Sequence, residues 1–151
     1  PGEYLATRFP DAVRPGDIVT QSGKLVGRHN GLFRYTIGQR RGLGIPDSSP
    51  WYVGSIDPKY NRLIVCKNEE LFQSMLEVED LHWLSGSSPD LDREYTVRIR
   101  YSHRGSPAMV QSTGSRSGRI IFREGQRGVT PGQFAVIYDS AEVIGSGIIK
   151  P

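Results

Sequence analysis

Glycine and proline interrupt this chain at short intervals, and no other feature restricts its fold as strongly. The 151 residues include 18 glycines and 10 prolines. The stretches between them are short and rich in valine, isoleucine, tyrosine and threonine. Short β-prone stretches bounded by turn residues are typical of strands, whereas long helices need uninterrupted segments. The sequence therefore predicts a mainly β protein.

The clearest strand pattern lies in the segment YTVRIRY. One face of this predicted strand carries Tyr95, Val97, Ile99 and Tyr101, and the other carries Thr96, Arg98 and Arg100. The segments AMVQST, GRIIF, QFAVIYD and EVIGSGII follow, with turn residues between them. Strands at this spacing predict a small antiparallel β-barrel over residues 71–151. The preceding segment LEVEDLHWL alternates imperfectly, and we interpret it as a strand.

The first part of the chain also carries hairpin signals. We predict turns at Ser22-Gly23, at Asn30-Gly31 and at 58–61, the Asn30-Gly31 turn joining a strand at Leu25-Val26 to one over 32–37. The segment 68–75 is the one fair helix candidate, and it is short. Residues 1–70 are therefore expected to form a small β-rich central domain before the barrel.

Charged residues cluster by segment. Residues 18–46 contain no aspartate or glutamate but include Arg40 and Arg41, and residues 95–122 lack acids too but include Arg98 and Arg100. Guanidinium groups suit bidentate phosphate contacts and stacking on bases. Scattered solvated charge on outer strand faces explains the pattern equally well, because the net charge is a modest +3.

No catalytic or metal-binding pattern emerges from the sequence. The segment GQRRGLG has neither the spacing of a phosphate-binding P-loop nor that of a dinucleotide-binding loop, and a bend or bulge in a β structure is the better interpretation. The histidines, 29, 82 and 103, are far apart and lack a ligand cluster, so each is interpreted as a surface or half-buried residue. Cys66 lies in the apolar segment LIVC, where a cysteine is usually an inert core residue; a thiol enzyme using Cys66 is the hypothesis this leaves open. The prediction is no catalytic residue, no metal and no cofactor within this chain.

The sequence also bears on location. A single cysteine excludes a disulfide within the chain, and no apolar stretch approaches the length of a membrane helix. The first residues lack the pattern of a signal peptide. We therefore expect a cytoplasmic protein without a membrane partner and, because residue 1 is not methionine, a piece of a longer chain.

Six segments in order carry a family resemblance. They are PGDIV, GKLVGRHNGLFRYTIGQRRGLGI, PWYV, D…NRLIV, VRIRY and VTPGQFAVIYD…VIGSGII. Together they closely resemble the C-terminal part of the tRNA-specific 2-thiouridylases, and HxG…YTIGQRxGLGI is the most specific piece. The resemblance covers nearly the whole chain, from Pro15 to about Ile149.

The resemblance implies a function for the parent enzyme. Its N-terminal domain resembles an ATP pyrophosphatase that adenylates the wobble uridine of tRNA, and a cysteine persulfide, charged by a sulfur-relay donor protein, then delivers sulfur. This sequence contains neither that family's nucleotide loop nor its catalytic cysteines. The chain is thus expected to be the central domain plus the C-terminal barrel, inactive alone, with ATP bound in the missing domain and tRNA, not DNA, as partner.

The resemblance also points to tRNA-binding residues. It assigns them to Arg100, Tyr101 and Gln133. From the basic segments we add Arg98, and we place Gln39, Arg40 and Arg41 near the tRNA or the missing catalytic domain.

A stand-alone RNA-binding module without catalysis is the alternative function. A translation-factor-like β-barrel would show the same short strands and basic segments. The coding sequence upstream separates the two, because an SGGVDS-type nucleotide loop there indicates the thiouridylase.

Overall fold

The computed structural model describes residues 13–100 and 104–151, which form two compact units. The first unit ends at Phe72 and the second begins at Gln73. The domains predicted from sequence, 1–70 and 71–151, place the boundary two residues earlier. That boundary, as one between independently folding domains, stays a prediction.

The first unit is built on a four-stranded mixed sheet. Its strands are β1 (Gly16–Thr20), β2 (Leu25–His29), β3 (Tyr52–Asp57) and β4 (Arg62–Cys66). The spatial order is β2-β1-β4-β3, with β1 parallel to β4 and the other neighbours antiparallel. The buried side chains of the sheet and its following segments form one core: Ile18, Leu32, Leu43, Val53, Leu63 and Val65.

Two of the predicted turns of this unit are confirmed. Gly23 adopts φ +89° between β1 and β2, and its N–H donates to Thr20 O at 2.9 Å. Asn61 adopts φ +52° between β3 and β4. Asparagine and glycine tolerate this left-handed region, which a tight hairpin requires.

The predicted hairpin at Asn30-Gly31 is wrong. Leu32–Arg34 form a 3-10 helix, and no strand follows over 32–37. The Gly31 N–H donates to the buried His29 Nδ1 at 3.0 Å, and Leu32 lies in the core. The sequence signal for a two-residue turn was present, but the side chain of His29 captures the donor and the chain continues into the core instead.

The second unit is a closed six-stranded antiparallel barrel. Its strands are β5 (Phe72–Trp83), β6 (Tyr95–Arg98), β7 (Ser106–Gly114), β8 (Ser117–Arg127), β9 (Phe134–Asp139) and β10 (Glu142–Ile149). Their order around the barrel is β10-β5-β8-β7-β6-β9. The prediction of a mainly β chain with a small antiparallel barrel is confirmed, as is LEVEDLHWL as a strand.

Side-chain alternation in the barrel follows the sequence pattern. Tyr95, Val97 and Ile99 are buried, whereas Thr96 and Arg98 are partly exposed on the outer face. Of the predicted short helix over 68–75, only the first half is helical, and the second half is strand. A 3-10 helix, Asn68–Leu71, ends where β5 begins, because the segment from Phe72 onward pairs into the barrel.

Within the described ranges, no helix has both the length and the apolar character needed to cross a membrane.

Candidate nucleic-acid interface

A groove on the outer side of the barrel brings together predicted site residues that are distant in sequence. It lies along β6 and β9, which pair Thr96 with Tyr138 and Arg98 with Val136. Its volume is about 540 Å³, within the range of ligand-binding clefts. The residues that line this β6–β9 groove are Arg98, Ile99, Arg100, Gln133, Phe134, Val136 and Tyr138.

The guanidinium group of Arg98 lies over an aromatic ring of the next strand. Its Cζ is 5.0 Å from the centroid of the Tyr138 ring, which suits a cation–π contact. The chain packs closely here at Gly105, whose φ is +92°. A Cβ on Gly105 would lie 2.4 Å from Thr96 Cγ2 and 3.3 Å from Arg98 Cγ. Glycine at position 105 therefore allows the backbone there to lie against the outer face of β6 beside Arg98.

Arg100 and Gln133 lie at one end of the groove. Arg100 follows β6 and is exposed. Gln133 follows the turn at Pro131-Gly132, where its N–H donates to Thr130 O at 3.3 Å and its carbonyl accepts from Ile149 N at 2.9 Å. The Gln133 backbone is thus held while its side chain is exposed.

Ion pairing separates the arginines of the barrel into two groups. Arg93 binds both carboxylate oxygens of Asp139, and Arg123 pairs with Glu94. The hydrogen bonds and charges of these carboxylates raise the pKa of both arginines. Arg98 and Arg100, by contrast, have no carboxylate within 4.0 Å among residues 13–100 and 104–151. Their charges are therefore open to an anionic partner.

Phe134 and Tyr138 are groove residues that the sequence analysis missed. Phe134 has 60% of its surface exposed, although it is a large apolar residue in a strand. The signal was present in QFAVIYD, where Phe134 and Tyr138 share the face opposite the buried Ala135 and Ile137.

Two residues of interest lie outside the described ranges. They are Tyr101, which the resemblance assigns to tRNA binding, and His103. The role of Tyr101 stays a prediction.

The remaining predicted residues lie in the glycine-rich loop of the first unit, residues 38–51. Arg40 and Arg41 are exposed. The side chain of Gln39 is held by the loop itself, because its Oε1 accepts from Thr36 N at 3.1 Å and its Nε2 donates to Arg41 O at 2.9 Å. The loop is irregular, not the β bend or bulge expected from sequence, and Gly38, Gly42 and Gly44 have positive φ.

Lys67, the residue that follows β4, holds the end of the glycine-rich loop. Lys67 Nζ donates to Asp47 Oδ2 at 3.0 Å and to Ser49 Oγ at 2.8 Å, and it lies 3.8 Å from the Trp51 ring centroid. The Trp51 indole N–H donates to the same Asp47 oxygen at 3.0 Å. The hydrogen bond from Lys67 is the main reason that the pKa of Asp47 falls to about 2. A cavity of about 640 Å³ in this loop includes the Asp47 carboxylate in its lining, which makes it a poorer anion site than the β6–β9 groove.

The residues considered for metal or thiol chemistry have structural positions. Within the described ranges, no group of three or more histidine, cysteine, aspartate or glutamate side chains is placed to hold a metal ion. Cys66 is 1% exposed, and a Cβ on Gly54 would lie 2.9 Å from its sulfur. That burial argues against the thiol-enzyme hypothesis, because a substrate cannot reach the sulfur.

The expectation of a surface or half-buried position is wrong for His29, which is fully buried. Because its Nδ1 accepts from the Gly31 N–H, the ring carries its proton on Nε2, which donates to Asn61 O at 3.0 Å. His29 therefore ties the end of β2 to the β3–β4 turn, a structural role.

Comparison with known proteins gives two adjoining family matches. Residues 2–67 match the model described as tRNA methyl transferase PRC-barrel domain, and residues 73–149 match the model described as Aminomethyltransferase beta-barrel domain. The two matches together cover nearly the whole chain.

The curated relatives that match include three examples named tRNA-specific 2-thiouridylase MnmA. The one from Desulfotalea psychrophila is 46% identical over 97% of this chain and 43% of its own length. The relative from Paramagnetospirillum magneticum is 40% identical over 99% of this chain and 40% of its own length. The relative from Clostridium beijerinckii is 36% identical over 99% of this chain and 42% of its own length. The chain thus spans about two fifths of the length of the relatives it matches.

Proposed function

The chain belongs to the tRNA-specific 2-thiouridylase family, as a C-terminal portion, and from that membership we propose that it is the tRNA-docking part of such an enzyme. The complete protein, in this proposal, transfers sulfur to the wobble uridine of tRNA. The chain supplies the binding surface and is inactive alone.

One observation carries the proposal. The β6–β9 groove collects Arg98, Arg100 and Gln133 from two separate segments, and among residues 13–100 and 104–151 no carboxylate lines it. Guanidinium groups such as those of Arg98 and Arg100 suit phosphate oxygens, and the Gln133 amide can bond to phosphate, sugar or base.

ATP is assigned to the part of the parent outside this chain. Nucleotide phosphates are commonly held where a glycine-rich loop leads into a helix N-terminus. The glycine-rich loop here leads from Trp51 directly into β3, and the helices described in full are two 3-10 helices of three and four residues. These residues do not fit a nucleotide.

The remaining features of the proposal concern the parent protein. A sulfur-relay donor protein delivers sulfur to its catalytic part, and the enzyme acts in the cytoplasm, where tRNA is modified. Arg40 and Arg41 of the glycine-rich loop contribute a second, purely electrostatic contact, to the tRNA or to the catalytic part.

The proposal is tested by measuring the affinity of the chain for tRNA over a series of salt concentrations. Binding should be weak and should fall with salt, because phosphate contacts release counterions. Arg100→Gln should weaken it and reduce the slope of log K against log salt by about 1, the effect of one lost phosphate contact.

Arg123→Gln is the matched control, because it removes the same charge from a barrel arginine that Glu94 already neutralises. It should leave the slope nearly unchanged. A chain that binds no tRNA at low salt, or equal slopes for the two variants, would contradict the proposal.

A further inference from the structure

The ring of Phe134 is exposed to solvent at the start of a strand. Phe134 begins β9, is 60% exposed, and lies in the β6–β9 groove between Gln133 and Val136. Single exposed apolar residues are normal on protein surfaces. This ring is different because it lines the same groove as Arg98, Arg100 and Gln133.

The neighbours of Phe134 extend the same chemistry along the groove. Val136 and Tyr138 continue the outer face of β9, and Arg98 lies over the Tyr138 ring. Arg100 is exposed at the Gln133 end, where it lines the same groove as Phe134. An aromatic face with a guanidinium group beside it matches a nucleotide, whose flat base stacks and whose phosphate is anionic.

The charges around the groove favour an anionic partner over a cationic one. In the part of the chain that the structure describes, no aspartate or glutamate lines the groove. Asp139, at the far end of β9, is occupied by both guanidinium nitrogens of Arg93. The positive charges of Arg98 and Arg100 are therefore not cancelled within the groove.

An exposed aromatic ring is suited to unpaired RNA more than to a duplex. In a duplex the base faces are stacked on one another, and proteins bind A-form RNA through its phosphates and 2′-hydroxyls. A side-chain ring in a groove can stack only with a base that has left the helix.

Resting on the proposed tRNA-docking function, we propose that the β6–β9 groove binds one unstacked nucleotide of the RNA, with its base stacked on the Phe134 ring and its phosphate held by Arg100. Phe134 is then a specificity-determining residue that selects a loop or single-stranded segment. Arg98 and Tyr138 bound the other end of this nucleotide site.

The test uses the whole chain and a single-stranded RNA of about ten nucleotides, a length that small β-barrels can cover. The RNA carries the fluorescent base 2-aminopurine, whose emission changes on stacking. Binding is measured for this strand and for the same strand annealed to its complement. The single strand should bind more tightly, and its fluorescence should be quenched.

Phe134→Leu should weaken binding of the single strand roughly tenfold and abolish the quenching, because an apolar side chain without a ring cannot stack. Phe134→Tyr should restore both. Phe72→Leu is the matched control, since Phe72 is a 46% exposed phenylalanine at the start of β5 that does not line the groove. It should bind RNA as the unmodified chain does.

The outcomes separate this inference from the proposed function. Unchanged affinity and quenching in Phe134→Leu, with tRNA still bound through Arg100, would overturn the inference and leave the docking function intact. Equal binding of paired and unpaired RNA would overturn it too. A chain that binds neither tRNA nor the single strand would contradict both.

Discussion

The glycine-rich loop of the first unit and the β6–β9 groove of the second both present arginines, yet they use their other polar groups in opposite ways. In the loop, Gln39 bonds to the backbone on either side of itself, and Asp47 holds Trp51 and Lys67. In the groove, Gln133 has a fixed backbone and an exposed side chain. The loop satisfies its polar groups internally, whereas the groove leaves them open.

A distinctive sequence and an open binding surface therefore need not coincide. The loop lies in the segment on which the family resemblance rests most specifically, but its Gln39 and Asp47 bond to residues of the loop and its flanks. The groove arises from ordinary strand segments whose outer faces meet. The following experiments compare matched changes in the two regions.

The largest effect should come from filling the space beside β6. Gly105→Ala places a Cβ 2.4 Å from Thr96 Cγ2 at φ +92°, which combines backbone strain with a clash and should cost roughly 3 kcal/mol in the free energy of unfolding. Gly44→Ala in the loop has positive φ but no atom within 4 Å of the Cβ, and should cost about 1 kcal/mol. Chemical denaturation of both variants measures the difference. Equal costs would show that the packing against β6 is not tight.

Charge reversal should rank the two regions in tRNA binding. The double variant Arg98→Glu, Arg100→Glu should weaken binding by more than tenfold. The groove would lose its phosphate contacts, and the base stacked there would no longer be held in place. Arg40→Glu with Arg41→Glu should weaken it roughly tenfold and reduce the salt slope, because these arginines act through charge alone. Titrations at several salt concentrations give both quantities. An unchanged affinity and slope for the loop variant would remove the loop from the tRNA surface.

Glutamine-to-alanine changes should have opposite consequences in the two regions. Gln39→Ala removes two hydrogen bonds that close the loop and should lower the free energy of unfolding by about 1 kcal/mol. Gln133→Ala should change stability by less than about 0.5 kcal/mol, yet weaken tRNA binding. Denaturation and binding measured on both variants test this. If Gln133→Ala is the more destabilising, its side chain has a structural role.

The smallest effect concerns the pH dependence of the loop. The pKa of Asp47 falls from 3.8 to about 2, chiefly through the hydrogen bond from Lys67 and also through the backbone hydrogen bonds of Ser49 and Ser48. The contribution of this carboxylate to stability is therefore present above about pH 4 and is lost as the pH falls through 2. Lys67→Met should return the Asp47 pKa towards 3.8, as followed by NMR of the side-chain carboxyl. A midpoint near 3.8 in the unmodified chain would mean that the Lys67 contact does not persist in solution.

The barrel was the part of the fold that the sequence predicts best. Strict alternation such as Tyr95, Val97 and Ile99 against Thr96 and Arg98 reports directly which side is buried, and the turn residues set the strand ends. Turn signals were less reliable where tertiary contacts compete. Asn30-Gly31 did not make a hairpin because His29 and Leu32 are drawn into the core.

The candidate site was predictable in its residues but not in its assembly. Sequence analysis named Arg98, Arg100 and Gln133 separately. Their meeting in one groove depends on β6 pairing with β9, a non-local contact that no short motif encodes. Phe134 was missed because alternation alone cannot say whether the outer face of a strand is solvated or a binding surface. The exposure of Phe134 becomes apparent only in the assembled barrel.

In the proposed function, RNA binds the barrel on the β6–β9 face. The most direct measurement is an NMR titration of the 15N-labelled chain with tRNA. The largest shifts should appear at Arg98, Arg100 and Phe134, and the β7–β8 hairpin should change little. Shifts concentrated on the β7–β8 hairpin, with none along β6 and β9 at saturating tRNA, would contradict the claim.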